Sequence, residues 1–246
     1  MAKYMRKRVW EIDLLRGIAI LLMIFDHVLF DLINFYGINV PLKTGTLAFT
    51  YSVVESFFAG LFIFLSGISS SFPRSNLLRG LKLLFVAMAL TLVTFIFSTY
   101  FLSPEDNITI WFGVLHCLAV SMLLAPLFLK LNKYVALSIA FVITFIFPFW
   151  VSGINAAGTV PNNALSFLGF YTNTFTSGDY FPLIPWMGVF IFGVVFGRVF
   201  YKEKKSLIKK DLKPIVFNYV GRYTLWIYLV HQPIVLGILY LIFGHI

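Results

Sequence analysis

Residues 13–27 read DLLRGIAILLMIFDH. Asp13 and Arg16 mark the start, nine uncharged residues follow Arg16, and Asp26-His27 closes the stretch. Asp31 comes four residues later. The middle is apolar enough for a helix in lipid, yet each ionisable group there costs about 2.5–3.5 kcal/mol on insertion scales. Such groups face a bundle interior and need a partner or a task. On an α-helix Asp13, Arg16, His27 and Asp31 share a face, because eleven residues make about three turns. Asp26 points away from that face by about one residue step. The helical rise puts His27 about 16 Å from Arg16 along the axis, so Arg16 is expected near one surface and His27 deep.

The rest of the chain sets the solvent. Of 246 residues, 60% are hydrophobic and 12% charged, with 29 Phe and a mean hydropathy of +0.91. That composition predicts an all-α, polytopic membrane protein. Seven apolar runs have spanning length: 12–34, 53–72, 79–101, 111–129, 134–152, 183–201 and 220–243. Lys and Arg crowd residues 1–8, 73–82, 130–133 and 202–213, and are scarce in the alternate connections. The positive-inside rule then predicts a cytoplasmic N-terminus, an outside C-terminus and residence in the cytoplasmic membrane. The net charge of +9 thus reads as a topology signal, which argues against nucleic-acid binding. The first apolar run is expected to be its own insertion signal, with no cleavable leader. The single cysteine, Cys117, lies in an apolar run and forms no intrachain disulfide. Residues 1–246 read as one transmembrane domain.

His27 is the best candidate for handling a proton, with Asp31 one turn away and Asp26 adjacent as partners. The alternative is a buried His that only bonds between helices. His116 and His231 also fall within spans and could approach His27 in depth. None has a neighbouring His or Cys at ligand spacing, so no metal is expected. Arg16, Arg79 and Arg222 sit at cytoplasmic helix ends, where snorkelling into headgroups is the plain reading. A cationic mouth built from them, with Arg74, would also suit a phosphorylated compound. Asp179 precedes the sixth span and reads as a helix-entry carboxylate or a substrate contact. The glycines in LFIFLSGISSS and GVFIFGVVFG read as helix-packing surfaces. Residues 153–182 form one long, almost uncharged loop, expected as a lid or a re-entrant segment.

Five blocks in order carry a likeness: WEIDLLRGIAILLMIFDH, LFIFLSGISSS, FGVLHCLAVSMLL, DYFPLIPWMGVFIFGVVFG and GRYTLWIYLVHQPI. Over nearly the whole chain they resemble the prokaryotic branch of the heparan-alpha-glucosaminide N-acetyltransferase family. The ten residues between Arg16 and His27 also resemble the Arg–His signature of the acyltransferase-3 proteins. The likeness implies transfer of an acyl group, usually acetyl from acetyl-CoA, to an amine or hydroxyl of a sugar-like acceptor across the membrane. There are departures. The lysosomal members place Asn where this chain has His27, and carry a proposed catalytic His in the loop after the first helix. Residues 35–52 here hold no His. Those members have Gln where this chain has His116, and have more helices and a lumenal domain. The assignment of His27 therefore rests on the Arg–His spacing and on local chemistry.

The resulting expectation has Arg16, with Arg74, Arg79 or Arg222, holding the phosphates of acyl-CoA at the inner mouth. His27, oriented by Asp31 or Asp26, removes the acceptor proton. Gln232, Asn34, or protonated His116 or His231, stabilises the oxyanion, and Asp179 and the outer loop meet the acceptor. An acetyl-His intermediate is the alternative to direct transfer. A small proton-coupled transporter, with His27, Asp26 and Asp31 as a relay, is the rival from another class. A non-catalytic membrane scaffold is the third reading. A homodimer is expected only as the commonest oligomer.

Overall fold

The computed structural model describes residues 9–45, 47–72, 75–102, 107–208 and 215–244. Among these residues the secondary structure is helical, with one isolated bridge between Phe112 and Tyr180. The helices are α1 (Trp10–Asn34), the short α2 (Pro41–Thr44), α3 (Ala48–Ser70), α4 (Asn76–Phe101), α5 (Val114–Lys130), α6 (Lys133–Phe141), α7 (Phe147–Ala156), α8 (Leu183–Phe200), α9 (Ile215–Arg222) and α10 (Thr224–Phe243). Each of the seven expected runs falls on one helix or on two in succession. Five stretches are long and apolar enough to cross a membrane: α3, α4, α6 through α7, α8 and α10. Many large apolar side chains point outward, including Phe85, Phe149 and Leu241, as they do where lipid is the solvent.

The chain divides into two compact units, Met1–Leu65 with Glu203–Ile246, and Ser66–Lys202. In the first, α1 packs on α9 and α10. Glycines allow the approach: a Cβ on Gly17 would overlap the Phe217 carbonyl, and one on Gly221 the Asp13 carbonyl. The run expected at 220–243 is two helices, broken at Tyr223 (φ −106°, ψ 17°). Arg222 lies at this break and pairs with Asp13 at 3.8 Å. The buried Glu11 accepts from the Leu207 amide at 2.8 Å.

In the second unit α5 packs against α4 and α8, and α8 also packs against α6. The expected glycine contacts are present. A Cβ on Gly67 would overlap the Phe190 carbonyl, and one on Gly197 would crowd Ser71 and the Ile68 carbonyl. Between α6 and α7 the chain widens into a π-helical turn, Val142–Ile146, where the Phe147 amide reaches back to Val142. Pro148 follows at once. A proline ring clashes with the carbonyl four residues back, here Thr144, and a widened turn relieves that clash. Residues 157–182 contain a 3-10 turn at Asn163–Leu168 that ends on Gly169 at φ +119°, a conformation open to glycine.

Candidate active site

The polar residues of α1 meet those of α10 within the first unit. The His27 and His231 rings lie edge to face, with centroids 4.8 Å apart and planes at 87°. Nδ1 of His27 is 2.9 Å from the Met23 carbonyl, and Nδ1 of His231 is 2.5 Å from the Tyr228 carbonyl. A carbonyl only accepts, so each neutral ring carries its hydrogen on Nδ1 and keeps its lone pair on Nε2. Nε2 of His231 is buried and has no hydrogen-bond partner among the described residues. An unsatisfied buried polar atom costs about 1–3 kcal/mol.

Asp31 is fully buried. Its two oxygens accept from Nε2 of Gln232 at 2.8 and 3.0 Å. The opposite amide orientation would set acceptor against acceptor. Oε1 of Gln232 is buried and unpartnered among the described residues. Two expectations change here. Met23, not a carboxylate, holds the His27 ring, while Asp31 is held by Gln232. Gln232, expected as an oxyanion donor, spends its amide nitrogen on Asp31, and His231, expected to donate when protonated, presents an acceptor in its neutral form.

Asp26 points into a second polar cluster. Its Oδ1 accepts from the Tyr51 hydroxyl at 2.9 Å and pairs with the Lys43 ammonium at 2.6 Å. That ammonium also stands over the rings of Tyr51 (5.4 Å) and Phe30 (5.9 Å). Glu55, one turn beyond Tyr51 on α3, interacts with Asp26, Lys43 and His27. Lys43, Tyr51 and Glu55 were not singled out from sequence. The one available signal was that Lys43 is the sole cation in residues 35–52. Asn34 stays outside both clusters, exposed, with Nδ2 on the Phe30 carbonyl.

Among the expected cations, Arg16 and Arg222 are in this unit, each next to a glycine of the α1–α9 contact. Arg16 donates to the Leu65 carbonyl at 3.3 Å, and Arg222 lies over the Tyr219 ring at 5.2 Å. Arg79 is in the second unit, donating to Asn76 at 3.4 Å. Arg74 lies outside the described residues.

His116 and Asp179 also belong to the second unit and are fully engaged there. The Gly113 amide donates to His116 Nδ1 at 3.3 Å, so the hydrogen sits on Nε2, 3.1 Å from the Thr91 hydroxyl. Thr91 in turn donates to the Ile110 carbonyl at 2.7 Å. Asp179 accepts from the Val114 amide at 3.0 Å. It therefore serves the N-terminus of α5 rather than the entry of α8, where sequence had placed it. Among the described residues, no three His, Cys, Asp or Glu side chains group so as to hold a metal ion.

No curated protein and no solved structure matches the chain. A family model described as "Heparan-alpha-glucosaminide N-acetyltransferase, catalytic" matches residues 8–233. The matched span runs from the head of α1 through Gln232 and includes both polar clusters. The chain belongs to the heparan-alpha-glucosaminide N-acetyltransferase family.

Proposed function

We propose that this protein is a membrane-embedded acyltransferase that moves acetyl from cytoplasmic acetyl-CoA to an amine or hydroxyl of a sugar-like acceptor on the far side. The whole chain acts as one catalytic domain in the cytoplasmic membrane, with seven spans and the N-terminus inside. The charge alternation of the connections supports that orientation. Arg16 and Arg222 receive the phosphates of the donor at the inner mouth.

The observation that carries the reading is the His27–His231 pair beside the buried Asp31. His27 is held by one ring nitrogen and has a lone pair on the other, which is what a general base requires. It takes the proton from the amine or hydroxyl as this attacks the thioester carbonyl, and returns it to the departing CoA thiolate. The orphaned acceptors on His231 and Gln232 suit the N–H or O–H groups of an acceptor. Asp26 and Glu55 hold the Lys43 side of the site in place.

The test is acetyl-CoA binding and single-turnover acetyl transfer to amino sugars, by wild type, His27→Ala and Arg16→Ala. Wild type is expected to bind and transfer, Arg16→Ala to lose binding, and His27→Ala to bind without transfer. Full transfer by His27→Ala would remove the base assignment. Absence of any affinity for acetyl-CoA at millimolar concentration would favour the second reading, a proton-coupled transporter. The enclosure of Asp31 is the observation on its side, and proton-coupled uptake in vesicles would identify it.

A further inference from the structure

The second unit has an open surface cavity of about 550 Å³ where α7, the loop after it and the start of α8 meet. This is within the usual range for a small-molecule site. Three aromatic residues line it, Tyr171, Tyr180 and Trp186, together with Ser152, Asn155 and Asn173. Their hydrogen bonds divide them into two groups. Asn155 is structural: it donates to the Gly169 carbonyl at 2.8 Å and accepts from the Tyr171 amide at 3.3 Å. The Tyr180 hydroxyl is likewise tied to the Ser166 carbonyl at 2.7 Å. These bonds hold the wall and fix Tyr171 edge to face against Tyr180, centroids 5.6 Å apart. By contrast, the side chains of Ser152, Asn173 and Trp186 make no hydrogen bond among the described residues and line the space with unused polar groups.

Charge is what selects the ligand. Residues 134–197 contain no Lys, Arg or His, and Asp179 is their only carboxylate. Asp179 is engaged at the α5 N-terminus. The cavity therefore offers aromatic surfaces, amide and hydroxyl groups, and no charge. An anion there would find no counter-ion among the lining side chains. A neutral sugar ring matches the site: its C–H faces lie against aromatic rings, and its hydroxyls pair with amide and hydroxyl side chains.

We infer that the open cavity between α7 and α8 is a binding site for an uncharged saccharide. The inference stands on the second unit alone and goes beyond the reading of the protein as a transferase. The saccharide held here carries neither sulfate nor carboxylate.

The experiment is calorimetric titration of the full-length protein in lipid nanodiscs, since maltoside detergents carry the very group to be tested. The probes are di-N-acetylchitobiose and maltose, with a sulfated heparin disaccharide as contrast. Variants are Asn173→Ala, which alters an exposed side chain, and Trp186→Phe, which removes the indole N–H but keeps a ring. At least one neutral disaccharide is expected to bind, the sulfated one at least tenfold more weakly, and each variant to weaken the neutral ligand about three- to tenfold. No binding of either neutral sugar, equal binding of the sulfated one, or unchanged affinity in both variants would overturn the inference. His27→Ala is titrated alongside and assayed for transfer. If it keeps full transfer, the base assignment fails while saccharide binding still reports on the cavity.

Discussion

His27 and His116 are the same residue type on apolar helices, and the two units of the molecule use them in opposite ways. In the second unit His116 has both ring nitrogens engaged, one accepting from Gly113 and one facing Thr91. Asp179, in the same unit, caps the same helix. In the first unit His27 and His231 are each anchored by one nitrogen only among the described residues, where buried acceptors on His231 and Gln232 also remain unpaired. A polar group with every bond satisfied supports the fold. One left partly unsatisfied lowers stability, and a fold keeps such groups where something else uses them. Hydrogen-bond accounting thus separates two sets of residues that composition and depth alone had grouped together.

The largest effect expected is on chemistry. His27→Ala should lower acetyl transfer by about 10²–10⁴-fold, the usual worth of a general base, with an unchanged melting temperature. A retained rate would erase the distinction between the two histidines. His116→Ala should do the reverse. Losing two hydrogen bonds and leaving a cavity in a buried site should cost about 3 kcal/mol in denaturant unfolding, with activity per folded molecule kept. His231→Leu sharpens the contrast further. Removing an unpaired buried nitrogen should leave stability unchanged or raise it by about 1 kcal/mol, while transfer falls. Asp179→Ala should cost about 1 kcal/mol through the freed amide of α5, read by hydrogen exchange at Val114. Smallest is Lys43→Gln, where loss of a partly exposed ion pair and its aromatic contacts should cost about 0.5–1 kcal/mol in thermal unfolding.

Helices were legible because apolar runs of spanning length admit little else, and the glycine contacts of α3 with α8 followed from small residues in such runs. Helix interruptions were harder to read. The widened turn before Pro148 sits inside an apolar stretch, and hydropathy does not register backbone geometry; the break at Tyr223 falls beside Gly221 and Arg222, which read from sequence as the head of a single span. The site was legible in part. His27, Asp31, His231 and Gln232 stood out as polar groups in apolar surroundings. Which pairs with which depends on helix rotation and tertiary contact, so the Asp31–Gln232 bond could not be read from spacing. Lys43 and Tyr51 lie where polar residues are ordinary, at a loop and a helix start, and beyond Lys43 being the sole cation of residues 35–52 nothing in the chain marked them before Asp26 was seen to receive both.

The bond between Asp31 and Gln232 joins residues 201 positions apart. During synthesis α1 is made long before α10 leaves the ribosome, at roughly 5–20 residues per second. For that interval a carboxylate that will be fully enclosed has no Gln232 to hold it. It must stay hydrated, near the membrane surface or against the insertion machinery, until the last helix arrives. Assembly of the first unit is therefore necessarily late, and a chain stopped before α10 would display Asp31 without its cover. Such a chain carries, in the membrane, a ready mark of incompleteness for proteolysis to act on.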